Sequence, residues 1–383
     1  MRAGLDVVMN LPDRPPPAQT SVADHPVLYV SMFAWDDAPR RLRHLLSRWA
    51  RQRPVAFVEA PVPTAGPPRI DFDHRDGLVV ATPFVPRGLT GEEGAALLRG
   101  LLDGVVRDLG LRPFALWHDS PRALAACPHL KPAATVYHDW ACAPPPPHEG
   151  DEALREEALR RADAAFVDGP GHACGPNVHL LAGRVDAPHF ARAGDGGPEP
   201  ADQRDLPHPR LGFHGALDRD LDLDLLAAVA DLRTDYHIVL IDLEGSADRS
   251  RLPRRANIHD LGRKSYAELP AYVAGWDVAL LPYTREAAAR GVDPTQTLEY
   301  LAAGKPVVAT PIPAVINPYA IQGVAAIAEE AEDFVIAVEC ELQRLDRRRW
   351  QHRVHACLRG NSWDDGWIAM EAVLAGVMPC AAG

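Results

Sequence analysis

Two His-Asp pairs are the residues best suited to chemistry in this sequence. They lie in the segments LWHDSP (116–121) and VYHDWACA (136–143), each directly after a short apolar run typical of a β-strand. Imidazole and carboxylate side chains act as general bases toward hydroxyl groups, and they also bind metal ions. A packing or capping role at the end of a strand is the alternative for each residue. The four candidate catalytic residues are His118, Asp119, His138 and Asp139.

The rest of the sequence gives little support to a metal site. The acidic segment DLDLDLL (220–226) is better explained by acidic side chains in the first turn of a helix than by a metal-binding DxD motif. The 6 cysteines show neither CxxC spacing nor a zinc-like interval to a histidine, as expected for reduced thiols in a cytosolic protein. The sequence also lacks motifs for dinucleotide binding, P-loop hydrolysis, zinc proteolysis and serine hydrolysis. The absence of these motifs leads us to expect no cofactor.

Composition and charge exclude several classes of protein. The 383 residues contain 40 basic and 52 acidic side chains, and a net charge of −12 argues against nucleic acid as a partner. Hydrophobic residues make up 47% of the chain, which is typical of a folded protein with a buried core. No run approaches the ~20 apolar residues of a membrane-spanning helix. Residues 1–25 are proline-broken without the apolar stretch of a signal peptide, so we expect a disordered leader and a cytoplasmic protein.

A cluster of arginines departs from this acidic average. The cluster lies in the segment 39–53, which has leucines at helical spacing and no acidic residue. A basic amphipathic helix can bind an anionic membrane surface, and a solvated helix face is the alternative. The arginines are Arg40, Arg41, Arg43, Arg48, Arg51 and Arg53.

Strands and helices alternate along both halves of the chain, with a break between them. In the first half we predict strands at 27–33, 54–61, 78–84, 114–118, 134–138, 164–169 and 177–183, and helices at 39–53, 92–110 and 153–163. In the second half we predict strands at 210–216, 236–243, 257–262, 277–283 and 306–310, and helices at 221–233, 266–276 and 296–304. Residues 186–209 are polar and rich in proline and glycine, which is typical of a linker. Such alternation predicts two doubly wound parallel sheets, and ligands bind in the crevice at the carboxyl ends of their strands.

The segment 257–315 is the most informative part of the sequence. It contains the predicted strand DVALLPY, the loop TREAAARGVDPTQ and the block LEYLAAGKPVVATPIP. In this it resembles the nucleotide-sugar domain of GT-B glycosyltransferases, above all family-4-like enzymes of bacterial polysaccharide and glycolipid assembly. RLGFHGALDRDLDLDLL (210–226) resembles the first turn and helix of that domain, and NSWDDGWIAM (361–370) resembles the terminal helices. The resemblance covers roughly residues 27–375.

The resemblance implies an α/β protein with the GT-B fold. Two Rossmann-like doubly wound domains would face a central cleft, and the C-terminal helices would cross back to the first domain. The implied segments are a leader at 1–25, an acceptor domain at 26–190, a linker at 191–209, a nucleotide-sugar domain at 210–360 and a returning helix at 361–378.

Donor-binding residues follow from the same resemblance. Glu299 matches the glutamate that binds the donor ribose, where a carboxylate accepts two hydrogen bonds from the vicinal diol. Gly215 would let the diphosphate approach the backbone at a helix N-terminus. Arg263 and Lys264, in the segment 261–264, would hold the base. The alternatives are a surface carboxylate, a turn glycine and two solvated loop charges.

The chain departs from the family pattern in the loop before Glu299. Many relatives carry a lysine at the second position after the loop proline, and here Thr295 and Gln296 follow that proline. Retaining members often have a glutamate eight residues before the ribose-binding one, and that position is Gly291. Arg290 would supply the missing charge, since arginine suits phosphate well. Asp293, in the same loop, would contact a sugar hydroxyl.

The function implied by the resemblance is a metal-independent hexosyltransferase. It would move a sugar from a nucleoside-diphosphate sugar, with UDP as the expected nucleotide, to a hydroxyl of a glycan or lipid-linked acceptor. One of the His-Asp pairs would deprotonate that hydroxyl. If the arginine helix binds lipid, the protein is peripheral at the inner face of the membrane. The alternatives are a degenerate GT-B protein that serves as a non-catalytic partner or glycan-binding subunit, and a nucleotide-sugar 2-epimerase on the same fold.

Overall fold

The protein contains two α/β units, each built on its own sheet. The computed structural model describes residues 25–89, 91–139, 151–167, 175–181, 183–243, 249–292 and 294–378. The predicted disordered leader therefore lies almost entirely outside the described residues.

The first sheet is parallel apart from one added strand. Its elements are β1 (Val27–Val30), α1 (Arg40–Trp49), β2 (Val55–Val58), β3 (Val62–Thr64), β4 (Arg69–Arg75), β5 (Leu78–Pro86), α2 (Gly91–Asp108), β6 (Ala115–His118), α3 (Pro121–Ala126), β7 (Ala134–Asp139), α4 (Asp151–Arg161), β8 (Ala164–Val167) and β9 (Val178–Leu180). The strand order is β3-β5-β2-β1-β6-β7-β8-β9, and β4 pairs with β5 in the antiparallel direction. The predicted strands all belong to the parallel part. The sequence analysis missed β3 and β4, which have mostly exposed side chains and no continuous apolar run.

The second sheet has six parallel strands in the order β12-β11-β10-β13-β14-β15. Its elements are α5 (Ala187–Ala191), β10 (Arg210–Gly215), α6 (Leu223–Leu232), β11 (His237–Asp242), β12 (Ile258–Arg263), α7 (Leu269–Ala274), β13 (Val278–Leu281), α8 (Arg285–Ala289), α9 (Gln296–Ala302), β14 (Val307–Ala309), α10 (Pro313–Val315), β15 (Ala325–Ile327), α11 (Ala331–Leu342), α12 (Arg347–Leu358) and α13 (Trp363–Val377). Alternate residues of the strands face α6 and α11 on one side of the sheet, and α7, α9 and α12 on the other.

Two adjacent crossovers join the units. The chain leaves the first unit at residues 184–186 and returns at 360–362, where Val185 N donates to Asn361 O at 2.9 Å. Val185 also forms a parallel bridge with Ser362. The last helix, α13, then packs Trp363, Met370 and other apolar side chains into the core of the first unit, as expected for a returning helix.

Helix α1 is the partner of α13 and carries the arginine cluster. Its apolar face, Leu42, Leu45, Leu46 and Trp49, is completely buried in the same core. A helix that inserts into a membrane surface needs that face free, so membrane binding by α1 would rest on charge alone. Among the described helices, none combines the length and the apolar character needed to cross a bilayer.

Ionic contacts fix α1 against α13. Arg53 is buried with its side chain only 1% exposed and forms an ion pair with Glu371, which also accepts a hydrogen bond from the Trp49 indole. Arg48 forms a more exposed ion pair with Asp364.

We expect Glu371→Ala to lower the free energy of unfolding by about 3 kcal/mol, because it leaves the Arg53 charge buried without its carboxylate. Asp364→Ala removes an exposed carboxylate from the same interface and should cost less than about 1 kcal/mol. Urea denaturation of both variants measures the difference. Equal effects of the two variants would show that the buried pair does not anchor α1.

Candidate active site

Glu299 lies in the first turn of α9, at the carboxyl end of β10. Its side chain is only 14% exposed, and Oε2 lies 3.5 Å from Nε2 of the completely buried His214. His214 is fixed in turn by Tyr300, whose hydroxyl accepts a hydrogen bond from the His214 amide at 3.0 Å. A carboxylate is therefore held in place beside a strand end rather than on an open helix surface.

Burial and charge compete at this carboxylate. Burial raises the pKa of Glu299 to about 7, while the positive charges of Arg40 and Arg41 from the first unit act to lower it. Burial also lowers the pKa of His214 to about 3, assisted by the charge of Arg40. His214 is therefore neutral near pH 7 and supplies no counter-charge to Glu299.

Gly215 follows His214 and lies against Gln296 of α9. A Cβ atom on Gly215 would lie 2.9 Å from Gln296 Nε2 and 2.9 Å from the ring of Phe213, so the close approach requires glycine. Gln296 Nε2 also donates to the Tyr283 hydroxyl at 3.3 Å. The structure thus brings Gly215, Gln296 and Glu299 together at one corner. The predicted helix N-terminus does not follow Gly215 directly, because α6 begins only at Leu223.

The predicted base-binding residues have different surroundings. Lys264 Nζ forms an ion pair of 2.7 Å with Asp202, and it lies 5.1 Å from the centre of the Tyr272 ring. Arg263 ends β12 with an exposed side chain. The predicted linker therefore packs on the second sheet through Asp202 and holds one of the two cations.

The loop before α9 is partly helical, which the sequence analysis did not predict. Thr284 caps α8 by accepting from the Ala287 amide at 3.2 Å. Arg290 ends α8 and forms an ion pair with Asp220. Gly291 has a φ of +84° and open space around it, and Asp293 lies outside the described residues. Thr295 occupies the N-cap position of α9 without a capping side-chain hydrogen bond.

Asp119 follows β6 in the first unit and pairs with a serine that the sequence analysis missed. Ser31, directly after β1, donates its hydroxyl to Asp119 Oδ2 at 2.7 Å. Burial raises the pKa of Asp119 to about 6, although the Ser31 hydrogen bond and nearby His138 oppose this shift. Such a pKa suits a general base near neutral pH.

The other three candidate catalytic residues are packed or paired. His118 is completely buried and stacks on Tyr137 with 5.1 Å between ring centres, and burial lowers its pKa to about 4. His138 is also completely buried and lies among aromatic rings. Asp139 accepts a hydrogen bond from Arg155 Nε at 2.7 Å, within an ion pair. The spacing that drew attention to all four thus places only Asp119 in a setting that favours proton transfer.

An aromatic cluster joins the two units beside Glu299, and nothing in the sequence patterns pointed to it. Tyr266, which follows β12, stacks on His189 with 4.3 Å between ring centres and supports the Arg40 guanidinium 5.0 Å above its ring. His44 of α1 stacks on Trp363 at 5.2 Å and meets the edge of Tyr266. The amino end of α1 therefore contacts the second unit directly.

A cavity of about 290 Å³ is lined by Tyr283, whose hydroxyl accepts the hydrogen bond from Gln296. It opens at the carboxyl ends of β13 and β14, between Thr284 and Thr310. In the described ranges, no three His, Cys, Asp or Glu side chains come close enough together to hold a metal ion.

We expect Glu299→Gln to raise the free energy of unfolding at pH 8 by about 2 kcal/mol, because the folded wild type must keep a buried carboxylate ionised. The raised pKa means that Glu299 is ionised in both states above pH 7 and protonated in both at low pH. The gain should therefore be complete above pH 7 and disappear toward pH 4. Urea denaturation across this range measures it, with exposed Glu156→Gln as the control that changes little. A stability difference independent of pH would show that the pKa of Glu299 is not raised by burial.

Comparison with known proteins matches this site to a family. Residues 208–344 match the model of the family described as Glycosyl transferases group 1. A curated relative, the putative teichuronic acid biosynthesis glycosyltransferase TuaH of Bacillus subtilis, is 26% identical over 160 residues. That alignment spans 40% of this chain and only 40% of the length of the relative.

Solved structures match nearly the whole chain at low identity. A glycosyltransferase from Rickettsia africae has a TM-score of 0.67 and 9% identity, covering 94% of this chain and 100% of its own. Sucrose-phosphate synthase from Thermosynechococcus elongatus has a TM-score of 0.64 and 13% identity, covering 92% and 99%. Anabaena HepE, in complex with UDP and glucose, has a TM-score of 0.61 and 14% identity, covering 91% and 99%. Residues 208–344, with Gly215 and Glu299 among them, are therefore similar to the group 1 glycosyltransferases, and the chain has the GT-B fold of its structural neighbours.

Proposed function

We propose that this protein transfers a sugar from a nucleoside-diphosphate sugar to a hydroxyl group of an acceptor. The observation that carries the proposal is Glu299, a carboxylate held beside His214 and Gly215 within the region that matches the family. A pKa raised by burial at a cleft is typical of a functional group, because such a site costs stability without serving the fold.

The donor would lie on the second domain. The ionised carboxylate of Glu299 would accept hydrogen bonds from the two ribose hydroxyls. The backbone at Gly215, free of a Cβ, would approach the diphosphate. UDP is the first nucleotide to test, since the Anabaena structure contains UDP and glucose and an Escherichia coli trehalose-6-phosphate enzyme contains UDP-2-fluoro glucose.

The acceptor would lie on the first domain, opposite the donor. Its hydroxyl oxygen would form the new bond to the anomeric carbon as the bond to the diphosphate breaks, and the nucleoside diphosphate would leave. Asp119 would take the hydroxyl proton, since its pKa of about 6 leaves it ionised at neutral pH. Closure of the cleft would keep water from competing with the acceptor.

The acceptor class that we propose is a glycan or a lipid-linked sugar. The support is the relative named in teichuronic acid biosynthesis. We also propose a cytoplasmic site of action that needs no metal ion. Contact with an anionic membrane surface remains part of the proposal only through charge, because the apolar face of α1 is buried.

A non-catalytic binding protein is the second candidate. Gln296 replaces the family lysine, and the open space around Gly291 replaces the family glutamate. A protein with this defect would bind a nucleotide or a glycan without turning it over. No specific contact favours the nucleotide-sugar 2-epimerase.

Titration calorimetry with UDP should give a saturable binding isotherm for the wild type and loss of at least about tenfold in affinity for Glu299→Ala, because two hydrogen bonds to the ribose are lost. Glu156→Ala, exposed on α4, is the control. Chelation of divalent ions should leave the affinity unchanged. If neither UDP nor GDP, ADP or TDP binds at millimolar concentration, the transferase proposal is wrong.

Asp119→Asn should lower kcat for sugar transfer by about 10²–10⁴-fold, which is the usual contribution of a general base. In the wild type, kcat should fall as pH falls through about 6, where Asp119 becomes protonated. Release of nucleotide from a UDP-sugar in the presence of an acceptor mixture measures both. Unchanged UDP binding with no turnover by the wild type would instead support the non-catalytic candidate.

A further inference from the structure

We propose that Arg40 and Arg41, at the amino end of α1 in the first domain, bind the diphosphate of the donor across the cleft. They would supply the positive charge that the second domain lacks at Gln296. The inference rests on the proposed function and assigns that site two residues from the opposite domain.

The first support is their position beside the corner formed by His214, Gly215 and Glu299, which we call the donor corner. The Arg40 guanidinium lies 5.0 Å above the ring of Tyr266, a residue of the second domain. Both arginines are close enough to Glu299 to lower its pKa, and Arg40 also acts on His214. Arg40 therefore lies over Tyr266, and its charge acts on both Glu299 and His214 at this corner, while the charge of Arg41 acts on Glu299.

The second support is the rigidity of the helix that presents them. The apolar face of α1 is fully buried, and its last residue, Trp49, donates an indole hydrogen bond to Glu371 of α13. His44, one turn after Arg40, is stacked on Trp363 and meets Tyr266. A helix held at both ends places its first residues with little freedom, as a binding site requires.

The third support is the balance of charge on the second domain. Two of the three cations expected near the donor, Lys264 and Arg290, form ion pairs with Asp202 and Asp220. Gln296 is neutral and already donates to Tyr283. A diphosphate would bring further negative charge beside Glu299, and cations from the other domain would balance it.

Guanidinium groups suit this task. Each is planar and offers paired N–H donors to two phosphate oxygens, and charge-assisted bonds of this kind are stronger than neutral ones. Because α1 belongs to the first domain, a diphosphate held by Glu299 on one side and α1 on the other would also draw the two domains together. Nucleotide binding and closure of the cleft would then be one event.

The test is titration calorimetry of UDP, UMP and uridine with the Arg40→Gln/Arg41→Gln variant of the full chain. We expect the affinity for UDP to fall by about 30-fold or more, since charge-assisted hydrogen bonds to the phosphates are lost. The affinity for UMP should fall less, and that for uridine should not change. Arg43→Gln/Arg51→Gln, with the same change in charge on the same segment, should bind UDP within twofold of the wild type.

A second variant guards against a general defect in folding. Arg40→Lys/Arg41→Lys keeps both charges but not the paired donors, so it should recover part of the UDP affinity, and thermal melting compares the stability of all variants. An equal loss of affinity for UDP and uridine would show that Arg40 only holds Tyr266 in position, which overturns the inference. UDP binding within threefold of the wild type in the glutamine variant also overturns it.

Failure of the inference can be told apart from failure of the proposed function. If UDP binds to the wild type and to Arg40→Gln/Arg41→Gln but not to Glu299→Ala, only the role of the arginines is wrong. If the wild type binds no nucleoside diphosphate, the proposed function and the inference are both wrong.

Discussion

The docking of α1 between the two domains is the contact on which the rest of the structure depends. One face of this helix completes the core of the first sheet, where Trp49 packs with the apolar side chains of α13. Its amino end meets Tyr266 of the second domain through Arg40 and His44. A single ten-residue helix thus packs in a hydrophobic core, contacts the returning C-terminal helix and lies at the edge of the donor corner. The contact between the two domains and the candidate donor site therefore lie side by side.

The buried charge of Glu299 at the donor corner lowers the stability of the fold. Burial of Glu299 favours its protonated form, and His214 beside it is neutral because it is buried as well. The nearest compensation comes from arginines of the other domain rather than from a local partner. Other cations of the second domain form ion pairs with carboxylates on the same side of the cleft. Lys264 pairs with Asp202, and Arg290 pairs with Asp220. The site therefore holds one buried carboxylate, and the positive charges that lower its pKa belong to the other domain.

Strands with continuous apolar runs were predictable, and the elements without them were not. The runs at Val27–Val30 and Val278–Leu281 are buried on both faces, so their composition alone indicates parallel strands. Strand β4 has mostly exposed side chains and depends on pairing with β5, which a local pattern does not reveal. Helix α8 is only five residues long, and the segment reads as a loop because so short a helix shows no full apolar period. The segment predicted as a linker folds onto the second sheet through side chains such as Gln203, which is completely buried.

The sequence by itself determined the alternation of the main strands and helices, the break between two α/β units and the similarity of the second unit to group 1 glycosyltransferases, because these depend on local periodicity and on one specific block around Glu299. It also singled out the His-Asp pairs as candidates for proton transfer. Only the tertiary structure decided which of those groups are engaged: Asp139 pairs with Arg155, whereas Asp119 meets Ser31 from a distant strand. The arginine cluster shows the difference most clearly, since its composition left a membrane-binding face and a solvated helix face both open, while its packing buries the apolar face and places Arg40 over the ring of Tyr266. Partners far apart in the chain set burial and charge, and those two quantities decide what a side chain can do.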